Sequence, residues 1–244
     1  MAIKPILFNT EMVRAILDGR KSCTRRIIKP QPDEKHTYPL GFVNDSTERK
    51  DIGSFGFGAS ESGGSIQYVK PPYQPGDTLY VRETWRVGAW DIRNQMIAFD
   101  YKDGSCGELT YIHDRELFER LVKQSREDAR KAKCEYNGAD FVWEKGNSPC
   151  RWRPSIHMPK EAARIWLKCT DVRVERLQEI TIDGIRKEGL SSMAVHAGDM
   201  DIALKEWKTL WNSTIKKPDL DRYGWNASPW VWVIEFERCE KPEG

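Results

Sequence analysis

The octapeptide "GRKSCTRR", Gly19–Arg26, follows directly on "EMVRAILD", Glu11–Asp18. The upstream stretch reads as a helix. Asn9 or Thr10 can cap its start, Met12, Val13, Ile16 and Leu17 form one apolar stripe, and Gly19 sits where a left-handed C-terminal cap is wanted. A helix that stops at a glycine throws the next residues out at an angle, onto a loop that can line a cleft. There Lys21 and Thr24, three apart, can approach one another in a turn. A threonine hydroxyl is a weak nucleophile until a base takes its proton, and a lysine desolvated or placed beside Arg25 and Arg26 can be that base. The same eight residues also suit a solvated basic turn without chemistry.

Outward from the octapeptide, residues 30–72 are rich in Gly, Ser, Pro and Asp, with "GSFGFGASESGGS" (Gly53–Ser65) near the middle. They read as a long loop or flexible insertion. "YQPGDTLYVRETW" (Tyr73–Trp85) opens on a Pro75-Gly76-Asp77 turn and continues as a strand, with Leu79 and Val81 alternating with Tyr80 and Arg82. Residues 113–135 form a charged helical stretch. "RIWLKCTDVRVERL" (Arg164–Leu177) is a strand pattern whose register switches near Thr170-Asp171. "TIDGIRKEGL" (Thr181–Leu190) is a short helix capped by Thr181 and stopped by Gly189. In "DMDIALKEWKTLWNSTI" (Asp199–Ile215), Leu204, Trp207 and Trp211 share one side of a helix.

The chain closes on "SPWVWVIEFERCE" (Ser228–Glu240). There Trp230, Trp232, Ile234 and Phe236 share one strand face, and Val231, Val233, Glu235 and Glu237 the other. Short strands separated by long connections predict an α+β chain, a mixed β-barrel with insertions and not a doubly wound sheet. Residues 1–30, 70–86, 150–180 and 225–240 would supply the barrel. No internal repeat or glycine-rich phosphate loop occurs.

The 244 residues carry 39 Lys and Arg against 37 Asp and Glu, a net charge of +2. This excludes a globally basic nucleic-acid binder, so any such contact must come from a local patch. Six scattered cysteines contain no C-x-x-C pair, "MAIKPILFNTE" lacks the apolar core of a signal peptide, and no segment approaches a membrane span. These features predict a soluble cytoplasmic protein with reduced thiols and no membrane partner. Cys106, His113, Cys134, Cys150 and His157 lie in one region and could converge on zinc. Their spacings are irregular, and the expectation is no metal and no cofactor. Ten tryptophans suit core filling, with one or two free to form a flat wall for a base.

"GRKSCTRR" fits G-x-K-x-x-x-x-R through Gly19, Lys21 and Arg26, and resembles the signature of the ASCH family (activating signal cointegrator homology). "PGDTLYVRETW", "RIWLKCTDVRVERLQEIT" and "PWVWVIEFERC" follow in the order of that family's segments. The whole chain is similar to a larger phage and prophage subgroup carrying "YQPGD", "VRETW" and "WRPSIHMP" segments. The resemblance implies one PUA-like β-barrel domain over residues 1–244, with insertions at about 30–72 and 86–150. It also implies a catalytic set like that of the small bacterial N4-acetylcytidine amidohydrolases. In that set Lys21 matches the general base, Thr24 the nucleophile, and Glu188 in "IRKEGL" the glutamate. This chain is more than twice as long as those enzymes, so their substrate does not transfer automatically.

Glu188 stands out independently. A carboxylate in the last turn of a helix meets the negative end of the dipole, which should raise its pKa somewhat, as suits a proton donor. Arg26 would steady developing charge. In "VRETW", Glu83 and Trp85 point the same way along a strand and could read a base, the acid accepting from an amino group while the ring stacks. A buried Glu83 paired with an arginine fits equally. Arg153, in "CRWRPSIHMP", interleaves with aromatic and basic neighbours, as suits nucleic acid. The expected partner is a modified nucleoside or single-stranded nucleic acid, and the expected reaction is hydrolysis of an N-acyl group on a cytidine. The alternatives are a non-catalytic reader of RNA or a modified base, and a ribonuclease.

Overall fold

A computed structural model describes residues 2–242. In chain order the elements are β1 (Ile3–Leu7), α1 (Thr10–Leu17), β2 (Cys23–Ile27), β3 (Tyr38–Phe42), β4 (Phe55–Ser60), β5 (Gly63–Val69), β6 (Thr78–Arg82), β7 (Trp85–Asp91), β8 (Met96–Tyr101) and β9 (Thr110–Tyr111). Then come α2 (Arg115–Lys131), β10 (Trp166–Arg176), α3 (Ile182–Lys187), α4 (Met193–Ala197), α5 (Met200–Thr214), α6 (Leu220–Tyr223) and β11 (Trp230–Cys239). The chain divides into two compact units, one of residues 2–4, 15–78 and 167–239, the other of residues 5–14, 79–166 and 240–242.

The first unit is built on the alternation of β11. A five-stranded sheet has the order β1-β6-β10-β11-β2. At its β1 edge the Thr78 amide donates to the Ala2 carbonyl, and the Cys169 amide to the Asp77 carbonyl, each at 2.9 Å. Asp77, from the Pro-Gly-Asp turn, ties this edge together. Its carboxylate accepts from the amides of Ala2 and Gln74, each at 3.0 Å, and pairs with Lys4 Nζ at 2.8 Å.

β11 runs antiparallel to β2, with Val231 opposite Ile27, Val233 opposite Arg25, Ile234 opposite Thr24 and Glu235 opposite Cys23. Period-2 alternation therefore sorts two faces. Cys23, Val231 and Val233 belong to a buried cluster with Ile185, Trp207 and Trp211, so the short helices cover this face. On the other face Trp230 packs on Phe57 at 5.2 Å, and Trp232 stacks near Phe42 at 6.2 Å.

Phe42 and Phe57 belong to a three-stranded antiparallel sheet, β3-β4-β5. This corrects the reading of residues 30–72 as a loop or flexible insertion. The period there is carried by Phe55 and Phe57 alone, with Gly56 between them and Gly58 after, so glycine content hid a strand whose aromatic side chains are buried. β10 is one unbroken strand of 11 residues, and its burial changes phase at the adjacent exposed pair Thr170 and Asp171, where the register switch was expected.

The second unit contains the antiparallel sheet β7-β8-β9 and α2. Asp114 caps α2 by accepting the Leu117 amide at 3.0 Å. The helix buries Leu117, Phe118, Leu121, Val122, Ser125 and Ala129, one stripe of an otherwise charged helix. The architecture is mixed α+β, as strand spacing implied. It is laid out as three sheets, and no closed barrel occurs among the described residues. No helix among them is long and apolar enough to cross a membrane.

Candidate functional site

The octapeptide begins where α1 ends. Gly19 takes φ +74°, and the amides of Arg20 and Lys21 both donate to the Ala15 carbonyl, at 2.9 and 3.0 Å. The chain is thereby turned so that Lys21 forms an isolated β-bridge with Glu188. Thr181 caps α3 by accepting the Gly184 amide at 3.1 Å, and Glu188 closes the helix at its C-cap. Gly189 follows at φ +96°. A Cβ there would lie 2.9 Å from Ala15 Cβ and 3.0 Å from Lys21 Cβ, so glycine is what lets the two segments close.

Lys21 and Glu188, 167 positions apart, meet through their side chains. Lys21 Nζ donates to Glu188 Oε2 at 2.7 Å, to the Glu188 carbonyl at 2.9 Å and to the Cys23 carbonyl at 2.7 Å. Each N–H of an ammonium thus has an acceptor. The two side chains are 0% and 2% exposed. Such a pair persists in a core only when its remaining hydrogen-bonding capacity is met, and here it is. The second Glu188 oxygen lies 3.4 Å from Arg25 Nη1. Two cations therefore compensate a carboxylate placed at the negative end of a helix.

Arg25 continues the network outward. It pairs with Glu175 at 2.9 Å, Glu175 with Arg173 at 2.7 Å, Arg173 with Glu235 at 2.7 Å, and Glu235 with Lys187 at 3.7 Å. The signs alternate along the whole series, from buried Lys21 to Arg173 and Lys187, which are 39% and 41% exposed. Gly184 makes room for this, since a Cβ there would sit 3.0 Å from Arg25 Nη2. Reading from the octapeptide alone missed Glu175, Arg173 and Glu235. The available signal was the spacing of Asp171, Arg173 and Glu175, which places opposite charges side by side on one face of β10.

Thr24 and Arg26 alternate to the face of β2 opposite Arg25. Thr24 is 2% exposed and directly follows Cys23, whose carbonyl anchors the Lys21 ammonium. Burial lowers the pKa of the Arg26 guanidinium, against the opposing pull of Tyr73 and Glu188. The Cys23 thiol is pushed up to about 12, first by burial and then by the Glu188 charge, which Arg25 and Lys21 only partly offset. It is a packed thiol and not a nucleophile. With Lys21 at 3% and Glu188 at 5%, the resting arrangement is closed to solvent. The loop expected to line a cleft is therefore buried at Lys21 and Thr24.

Glu83, Trp85 and Arg153 belong to the second unit and have their own partners there. Arg164 grips Glu83 with both ends of its fork, at 2.9 and 2.8 Å, and pairs with Asp103 at 2.7 Å. Burial raises the Glu83 pKa, and Arg164 works against it. Trp85 is 1% exposed and meets Phe99 edge-on at 5.7 Å, so it is a core residue of that unit. Arg153 donates to Gln124 at 2.6 Å and lies 5.6 Å above the Trp85 ring. Among the described residues no group of three or more His, Cys, Asp or Glu is arranged to hold a metal ion. Cys150 Sγ faces the Ser125 carbonyl, and Cys134 Sγ the Val142 carbonyl. No family model, curated protein or solved structure matches this chain.

Proposed function

We propose that the chain is a PUA-like protein of the ASCH kind that hydrolyses an N-acyl group from a modified cytidine. The observation that carries this reading is the buried Lys21–Glu188 contact at 2.7 Å, anchored on the carbonyl next to Thr24. It joins the lysine of the octapeptide to the glutamate that the resemblance singles out.

In the proposed scheme a proton passes within the pair, leaving Lys21 as amine and Glu188 as acid with no change in total charge. Lys21 then takes the Thr24 proton as Oγ1 attacks the acyl carbon. Glu188 gives its proton to the exocyclic amine as the C–N bond breaks, and free cytidine leaves. Water then loses a proton to Glu188 as it attacks the threonine ester, Lys21 returns its proton to Thr24 Oγ1 as the carboxylic acid leaves, and transfer of the Glu188 proton to Lys21 restores the resting pair. Arg26 steadies the negative charge of the tetrahedral intermediates. The scheme uses no metal or cofactor. Because the resting site is closed, substrate entry requires it to open.

One observation favours a second reading, a non-catalytic module for a modified base. The Lys21 ammonium already has an acceptor for every N–H, which suits a structural clamp as well as a base in reserve. Single-turnover deacylation of N4-acetylcytidine by wild type, Thr24→Ser, Thr24→Ala and Glu188→Gln separates them. The hydrolytic reading expects Thr24→Ser to retain measurable turnover and Thr24→Ala to lose at least about 100-fold, the scale of an essential group acting in a unit. Equal rates for wild type and Thr24→Ala would leave the binding module in place.

A further inference from the structure

The second unit holds a cleft of about 610 Å³ whose lining includes Arg82, Arg120, Arg151 and Arg153 and no carboxylate. The arginines come from β6, from α2 and from the connection between α2 and β10. Among the described residues, Arg82 and Arg120 make no ion pair, while Arg151 and Arg153 share Asp128, at 3.8 and 3.4 Å. Four guanidinium groups thus face one carboxylate, an excess of about three positive charges in a chain whose net charge is only +2.

A second observation is independent of charge. Three buried donors with no acceptor belong to residues lining this cleft: Arg82 Nε, Arg153 Nε and the Trp85 indole N–H. Buried donors are nearly always satisfied, so these three leave the wall of the cleft short of acceptors, as its excess of guanidinium groups does. Burial also lowers the Arg153 pKa, the cost of holding that cation without full compensation.

The aromatic residues restrict what the ligand is. Trp152 carries Arg86 at 4.5 Å and Lys102 at 4.7 Å over its ring, and Trp85 is buried beneath Arg153. Trp85 is too deeply buried to stack on a base, and Trp152 already carries two cations. What the cleft offers is donors and positive charge, in a number that exceeds one phosphate and matches about three phosphodiesters.

We propose that this cleft binds the backbone of single-stranded nucleic acid, about three phosphates long and without base preference. It is separate from the hydrolytic reading of the first unit and does not rest on it.

The test is fluorescence anisotropy with end-labelled ten-nucleotide single strands of poly-U and poly-A, titrated from 50 to 200 mM NaCl. Neutralising three phosphates of a single strand gives a slope of log affinity against log salt of about −2, or a loss of about 20-fold over this range. Arg120→Ala and Arg151→Ala change exposed side chains, so the fold should survive. Each should make the slope shallower by about 0.7 and weaken binding of both strands equally. Arg238→Ala, an exposed change in the other unit, should bind as wild type does. A slope near zero, or unchanged binding by Arg120→Ala and Arg151→Ala, overturns the proposal. So does a tenfold preference between the two strands, or displacement by orthophosphate beyond that of NaCl at equal ionic strength, which would mark a single-anion pocket. The titration is repeated on Thr24→Ala, so a failed deacylation assay leaves this result standing, and the reverse.

Discussion

Lys21→Met tests the description of the site most directly. Methionine keeps much of the volume of the lysine stem and removes only the charge and its three donors. The ammonium is 0% exposed and its hydrogen bonds are 2.7, 2.9 and 2.7 Å long. Its removal leaves Glu188 buried, with Arg25 at 3.4 Å as its remaining ion-pair partner. Removing one member of a buried pair costs about 3–5 kcal/mol, chiefly because the other charge is left uncompensated. That is a large share of a typical folding stability of about 5–15 kcal/mol. With a urea m-value of about 2 kcal/mol/M, the midpoint should fall by about 2 M with no change in slope. The double variant Lys21→Met/Glu188→Met removes both charges and should recover at least half of that loss. Urea titration followed by circular dichroism and tryptophan fluorescence reads both. A fall below about 0.5 M for Lys21→Met, or a double variant as unstable as the summed singles, would refute the claim that the pair is buried and mutually compensated.

Two further outcomes follow from titration behaviour. Asp77 is pushed up by burial, but Lys4 and the amides of Ala2 and Gln74 outweigh this and hold its pKa below the ordinary 3.8. An acid with a depressed folded pKa adds stability above its unfolded value and loses it as pH falls through the folded one. Between pH 5 and 2 the wild type should therefore lose more stability than Asp77→Asn, and equal acid slopes would contradict the hydrogen-bonded turn. Burial pushes the thiols of Cys23 and Cys169 up to about 12 and about 11. At pH 8 iodoacetamide should leave both unmodified in the native protein while labelling partly exposed Cys134, as read by peptide mass mapping; Cys23 labelled as fast as Cys134 would show that the site is open.

The elements legible in the sequence were those with strong local signals. Gly19 and Thr181 gave the helix boundaries beside Lys21 and Glu188 because capping is a short-range effect. The alternation of Trp230–Phe236 gave both faces of β11, since period 2 survives without knowledge of the partner strand. The β3-β4-β5 sheet was not legible, because Phe55 and Phe57 alone carry its pattern through a glycine-rich run. For Glu83 both readings stood open in the sequence, and only tertiary structure supplies Arg164, 81 positions away. Lys21 and Glu188 were named for their chemistry. Their hydrogen bonding could not be read locally, because two of the three acceptors on the lysine belong to Glu188, 167 positions away.

The alternating series from Lys21 to Lys187 has a consequence for how this sequence can drift. A lone surface arginine can be exchanged with little penalty, but Arg173 stands between Glu175 and Glu235, and its loss leaves two neighbouring acids facing one another. Neutral change at the exposed end should therefore come in coupled steps, an acid and a base exchanged together or reversed in sign. Toward the buried end the freedom narrows, because Glu188 answers to both Lys21 and Arg25, and no single reciprocal exchange satisfies both. Among relatives of this chain, paired substitution should be common at 173 and 235 and rare at 21 and 188, a gradient in permitted change that follows the depth of each charge below the surface.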